Sequence, residues 1–296
     1  MSWDSPQWLA PSSLEEALRL RADLGDEATV VAGGTFVGIL MNQGFLAPTT
    51  LLSLRNVPGL DFIDPSPPTR DPSLGTPLEE RGQNGALRIG AMTTHRAVEQ
   101  SEVVRQGWPA LARAFSLVAS PRVRNQATVG GVLADADYAS DPPAMLTALR
   151  AHAVARRLGG ERAVPIDELI TGYYETSLRP DELLVEVRVP ADTECATYRK
   201  FRTRSSGDRP CVAVAAAVGR RGELRVVVGA ASHRPQYFPE ICAMASGRPD
   251  QSTAVEIGRR YAEAIEPISD SRGSAAYRRR VVAVEVRRAL EDLIDA

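Results

Sequence analysis

Two short glycine loops, about ninety residues apart, carry residue types suited to holding an anion. The first reads Val31-Ala32-Gly33-Gly34-Thr35 and runs on to Gly38. The second reads Ala127-Thr128-Val129-Gly130-Gly131 and leads into an acid-rich stretch from Asp135 to Asp141. Each sets two glycines beside a threonine. Glycine pairs permit positive φ and close backbone approach. Successive N–H groups and a hydroxyl can then ring a group such as a pyrophosphate. Either loop alone also fits an ordinary tight turn. No GxGxxG follows a strand, which disfavours a nicotinamide-binding Rossmann unit. No lysine follows either loop, which excludes a P-loop.

The flanking pattern predicts the elements that position these loops. Ser12 or Ser13 caps a helix through Leu24, with Glu15 and Glu16 in its first turn. Ala28–Ala32 reads as a buried strand, Phe36–Gln43 as a helix stopped by Gly44, and Thr50–Leu54 as a second strand. Residues 64–85, rich in proline, glycine and charge, read as a mobile surface loop. Ala86–Ala91 is a strand, and Thr93 or Thr94 caps a helix through Val104. Pro109–Val118 and Pro142–Arg150 are further helices. Leu183–Val189 alternates as a strand with one buried face and ends at Pro190. Three strands follow (Thr197–Thr203, Cys211–Val218 and Leu224–Ala230), then helices over 251–265 and 274–294. Arg278–Arg280 and Arg287–Arg288 are expected on a solvated or partner-facing side of the last helix. A meander followed by helices implies a separate α+β domain. The expected division is 1–182, with subdomains at about 1–60 and 61–182, and then 183–296.

Composition narrows the function classes. The 296 residues suit two or three compact units. A net charge of −2 points neither to nucleic acid nor to an anionic membrane. No apolar run is long enough for a membrane span, and the N-terminus lacks the pattern of a signal peptide. Cys195, Cys211 and Cys242 form no CxxC pair, so they read as reduced thiols of a cytoplasmic protein. Neither they nor the scattered His95, His152 and His233 suggest a metal site. His95 opens a helix and reads as structural, and Asp135 and Asp137 as holding loop backbone. No catalytic acid, base or nucleophile is assigned. Nearly every basic residue is arginine, and Lys200 is the one lysine.

Four blocks in order resemble the FAD-binding medium subunit of the molybdenum hydroxylases, the carbon monoxide dehydrogenase and xanthine dehydrogenase group. They are Val31–Gly44 with Thr49–Leu60, Leu87–Arg150, Tyr173–Pro190, and Tyr198–Val218. A fifth, Asp270 to Leu290, contains Gly273-Ser274-Ala275-Ala276-Tyr277-Arg278-Arg279 and resembles that family's C-terminal signature. The resemblance implies an α+β protein with a two-subdomain FAD-binding domain of the vanillyl-alcohol-oxidase type. It also implies a C-terminal domain with a three-stranded antiparallel sheet and helices.

Carried over by position, the resemblance assigns FAD contacts to Ala32, Gly33, Gly34, Thr35 and Val37 in the first loop. It assigns Ala119, Thr128, Gly130 and Gly131 in the second block. Ser140 and Asp141 fall near the adenosine and ribose, Leu184 against the isoalloxazine, and Lys200 near the cofactor. Two positions depart from the pattern. Phe36 stands where the family has a polar or acidic residue, and Val132 where it has asparagine. The implied role is electron transfer from an iron–sulfur subunit through FAD to an external acceptor. A separate molybdenum–pterin large subunit then carries the substrate chemistry, in a hetero-oligomer such as a dimer of heterotrimers. The departures at Phe36 and Val132 motivate one alternative, a flavin-fold relative with a degenerate or repurposed cofactor site. A self-contained FAD oxidoreductase needs a substrate-binding cap, and no insertion supplies one.

Overall fold

A computed structural model describes residues 5–66, 85–205 and 207–296, with three larger sheets, a two-stranded one and helices. The expected loop at 64–85 lies largely outside the described residues. Its first residues instead extend a strand, Ile63–Ser66, along the edge of Ala86–Gly90. Proline at position 65 is tolerated there because an edge strand has one side free of ladder bonds.

The N-terminal sheet is small and parallel, in the order Gln7–Leu9, Thr50–Ser53, Ala28–Val31. Helix Leu14–Leu24 leads into it, capped by the Ser13 hydroxyl, which accepts from Glu16 N. Strand Ala28–Val31 feeds the first glycine loop, and helix Thr35–Asn42 leaves it.

The second sheet is antiparallel and five-stranded: Ile63–Ser66, Ala86–Gly90, Leu183–Pro190, His152–Arg157, Gly160–Pro165. Strand Leu183–Pro190 is its centre and pairs on both sides. The expected boundary at 183 falls at the start of this strand, which ends at Pro190. The one-faced reading of this strand is corrected. Leu184, Val187 and Val189 enter the main core, while Leu183 and Val185 join a smaller core with Ala17 and Leu18. A register shift between Leu184 and Glu186 lets both faces bury apolar side chains.

The C-terminal sheet runs Thr193–Phe201, Val212–Gly219, Leu224–Gly229, Gln236–Tyr237. The short fourth strand was not anticipated, since two residues give no periodicity to read. Strand Val212–Gly219 is buried throughout, and its two faces enter different cores. Val212, Val214, Ala216 and Val218 share one core with helices Gln251–Ala264 and Ala275–Ile294. Ala213, Ala215 and Ala217 face the main core of the first domain. Small side chains on that face let helix Pro142–Ala148 approach closely, and a Cβ on Gly229 would lie 3.0 Å from Ala144 Cβ. One core therefore joins the two domains.

Arg278 corrects the expected solvated face of the last helix. It is 0% exposed. Its guanidinium donates to Asp270 Oδ1 at 2.8 Å and to the carbonyls of Cys211 and Ile268. The expected helix from Thr94 to Val104 is two helices, His95–Gln100 and Glu102–Gly107. Ser101 ends one and caps the other.

Candidate functional site

The two glycine loops meet. A Cβ on Gly33 would sit 1.8 Å from the carbonyl oxygen of Gln126, so this residue is glycine because the second loop's approach leaves no space. Gly34 has φ +70° and turns the chain into helix Thr35–Asn42, a left-handed conformation that favours glycine. Gly130 packs on Ala91, where a Cβ would lie 2.7 Å from the alanine Cβ.

The loops differ in their free donors, which the sequence did not reveal. In the second loop Val129 N donates to Thr93 O and Gly130 N to Ala91 O. Gly131 N donates to Thr128 Oγ1, and Val132 N to Thr128 O. Those amides are committed to folding. In the first loop Gly34 offers no side chain to the helix it caps. Among the described residues no partner is seen for the amides of Gly33 to Val37. They form the uncapped, positive end of a helix dipole. Among the described residues, then, the first loop keeps its amides available to a ligand, while those of the second are spent within the fold.

His95 secures that support. It is buried, with its ring edge-on to Phe115 at 5.0 Å between centroids. Nε2 lies 3.2 Å from the Thr128 carbonyl oxygen. A carbonyl only accepts, so Nε2 carries the proton and Nδ1 keeps a lone pair with no protein partner. Burial, with Arg124 nearby, pushes the imidazole down to about 4 despite the Thr128 bond. His95 is therefore neutral and structural.

Around these loops opens a cleft of about 1120 Å³, at the top of the range for small-molecule sites of about 300–1000 Å³. Every position assigned from the sequence lines it: Ala32, Gly33, Gly34, Thr35, Val37, Ala119, Thr128, Gly130, Gly131, Ser140, Asp141, Leu184 and Lys200. Opposite the loops lies a buried ion pair. Lys200 Nζ donates to Asp141 Oδ2 at 2.8 Å and to the Leu117 carbonyl at 2.8 Å. Tyr198 donates its hydroxyl to the other oxygen, Asp141 Oδ1, at 2.7 Å. Both Asp141 oxygens are thus engaged by protein. Burial drives its carboxyl upward against the pull of Lys200.

The acidic block turns back on itself. Asp137 Oδ1 accepts from Ala139 N at 3.0 Å, and Oδ2 pairs with Arg209 at 2.7 Å. Asp135, also in the cleft, is pushed up to about 7 by burial and then by the charge of Asp137, with Arg209 opposing. The two departures are accommodated. Phe36 stacks on Tyr174, with centroids 5.6 Å apart and planes 19° apart. Val132 packs against the main core.

Sequence reasoning missed Arg21, Tyr174, Arg209 and Arg272, which also line the cleft. Arg272 is held by Asp270 and by the Tyr138 hydroxyl, each at 3.1 Å. None of them lies in a glycine loop, and only the domain packing delivers Arg209 and Arg272 to the cleft.

A two-domain α+β chain with such a cleft between subdomains has the build of a flavoprotein. Residues 4–192 match the family described as FAD binding domain in molybdopterin dehydrogenase. Residues 196–293 match the CO dehydrogenase flavoprotein C-terminal domain. The chain belongs to this family of FAD-binding molybdopterin dehydrogenase flavoproteins, and its cofactor is FAD. Among relatives, the nicotine 6-hydroxylase medium subunit of Paenarthrobacter nicotinovorans is 31% identical over 292 residues, covering 96% of this chain and 95% of that one. The carbon monoxide dehydrogenase medium chain of Hydrogenophaga pseudoflava is 31% identical over 291 residues, with coverage of 96% and 95%. A solved carbon monoxide dehydrogenase from Hydrogenophaga pseudoflava superposes with a TM-score of 0.87 at 28% identity, over 100% of this chain and 99% of that chain. Quinoline 2-oxidoreductase from Pseudomonas putida 86 gives 0.86 at 28%, over 99% and 98%.

Proposed function

We propose that this chain is the FAD-binding, electron-transferring subunit of a molybdenum hydroxylase-type complex. It takes electrons from an iron–sulfur subunit and hands them to an external acceptor. A molybdenum–pterin subunit carries the substrate chemistry. The observation that carries this reading is the free run of amides from Gly33 to Val37, facing one cleft with the Lys200–Asp141 pair.

FAD would supply the redox chemistry, and the protein its binding and environment. The amides of Gly33 to Val37 would hold the pyrophosphate, as helix N-termini hold phosphate. Thr128, Gly130 and Gly131 keep the second wall in place. Leu184 would exclude water from the ring system. Asp141 and Tyr198 fix the Lys200 ammonium where it would face the cofactor. The cytoplasmic reading rests on three unpaired cysteines, and no helix among the described residues is long and apolar enough to cross a membrane. The degenerate-site alternative loses its motive, because Phe36 and Val132 each have a packing partner.

Reconstitution with FAD, desalting and an absorption spectrum test the cleft: one flavin per chain is expected, and colourless protein refutes it. Co-expression with molybdenum and iron–sulfur subunits tests the role. The expected result is a complex whose flavin bleaches on anaerobic addition of substrate. A chain that never associates with them overturns the electron-transfer reading.

A further inference from the structure

Among the described residues five non-glycine residues have positive φ: Ala119 at +40° and Tyr174 at +54° line the cleft, and Ala136 at +45° is buried between two residues that line it. For a bulky residue such as tyrosine this conformation is strained, and it persists only where surrounding contacts impose it. Three contacts hold Tyr174. Its amide donates to the carbonyl of strained Ala136 at 3.1 Å. Its ring stacks on Phe36, in the first turn of the helix that leaves the first glycine loop. The Arg209 guanidinium, fixed by Asp137, stands close to its hydroxyl. The ring thus ties together the first glycine loop, the acidic block and the C-terminal domain, while remaining 50% exposed. Both rings line the cleft, and an exposed ring held in a strained backbone contributes little to the core.

We propose that Phe36 and Tyr174 form an aromatic latch across the cleft that slows the release of FAD. This deepens the flavin assignment of the cleft and rests on it. FAD must part the two rings to leave, so the stack adds to the barrier for release. Stacked pairs contribute enough to slow release by about three- to tenfold.

Release is followed as the return of flavin fluorescence when FAD-loaded protein is diluted. Phe36→Ala and Tyr174→Gly each accelerate it about three- to tenfold, and the double variant is no faster than the quicker single, because both remove one contact. Tyr174→Phe keeps the stack and stays within twofold of wild type. Tyr174→Gly also relieves the strained backbone, so its melting temperature holds or rises while FAD leaves faster. General loosening of the fold cannot produce that combination. Wild type that retains FAD, with release unchanged in both truncations, overturns the latch alone. Multiplicative acceleration in the double variant also overturns it. A wild-type chain that retains no FAD overturns the flavin cleft and the latch together.

Discussion

Two groups beside the cleft titrate in opposite senses, so stability in mild acid depends on a balance that single substitutions upset. The His95 imidazole is held at about 4 in the folded chain against an ordinary 6.5. Its contribution is fully present above about pH 6.5 and is lost as pH falls toward 4. Between pH 7 and 4.5 the loss is about 2.4 kcal/mol. Asp135 is held at about 7 against an ordinary 3.8. Its folded pKa is raised, so its contribution is largest in acid and lost as pH rises through 7. Over the same window, falling pH restores about 3 kcal/mol. The two therefore nearly cancel. The assay is urea unfolding of the apoprotein at pH 7 and 4.5, followed by fluorescence of Trp108, which packs against the main core holding Phe115. His95→Gln keeps an amide donor for Thr128 without titrating, and it gains about 2 kcal/mol relative to wild type on going to pH 4.5. Asp135→Asn loses about 3 kcal/mol relative to wild type over the same step. Comparing each variant with wild type removes the background of ion pairs such as Glu186 with Arg88. If both variants track wild type within 0.5 kcal/mol (roughly the noise of such differences), the burial argument for these two groups is refuted.

Other substitutions test the remaining joints of the site. Gly33→Ala drives a methyl into the Gln126 carbonyl, parts the two loops and abolishes FAD retention at a cost of about 1–3 kcal/mol. Gly38→Ala, in the helix Thr35–Asn42 that leaves the first loop, with nothing within 4 Å of the new methyl, stabilises by about 0.5–1 kcal/mol and keeps the flavin spectrum. Lys200→Met leaves the buried Asp141 with Tyr198 as its remaining side-chain donor and destabilises by about 3–5 kcal/mol. Adding Asp141→Leu recovers part of that loss in thermal melts. Arg278→Leu takes the donor from the carbonyls of Cys211 and Ile268, leaves Asp270 to Arg272 and Tyr138, and costs about 1–3 kcal/mol by denaturant titration.

The division between what was legible in the sequence and what was not follows the range of the interactions. Helices announced themselves through local capping and period: Ser13 and Thr94 cap their helices through bonds three residues long. The glycine loops were legible because glycine is chemically conspicuous, and family resemblance then named their ligand. What remained hidden was every property set by a distant partner. The Leu183–Pro190 alternation looks one-faced until a helix from residue 14 and a core from residue 87 cover both sides. Arg278 reads as one of a solvated arginine run, and only the turn bearing Asp270 and the end of strand Thr193–Phe201, near Cys211, make it the buried member.

The donor accounting shows the same limit within the site itself. Both glycine loops have the same residue types, yet Ala91, Thr93 and Thr128 consume the second loop's amides, while among the described residues no partner is seen for the first's. Two of those bonds end on carbonyls just past strand Ala86–Gly90, at a range that no local spacing encodes. Phe36 makes the complementary point. In isolation it is a misplaced apolar residue in an anion-binding loop, and its partner Tyr174 lies 138 residues later. The pair turns a defect in one motif into a contact across the cleft. Departures from a family pattern at a cofactor site are therefore better judged by the partner they acquire than by the hydrogen bond they lose.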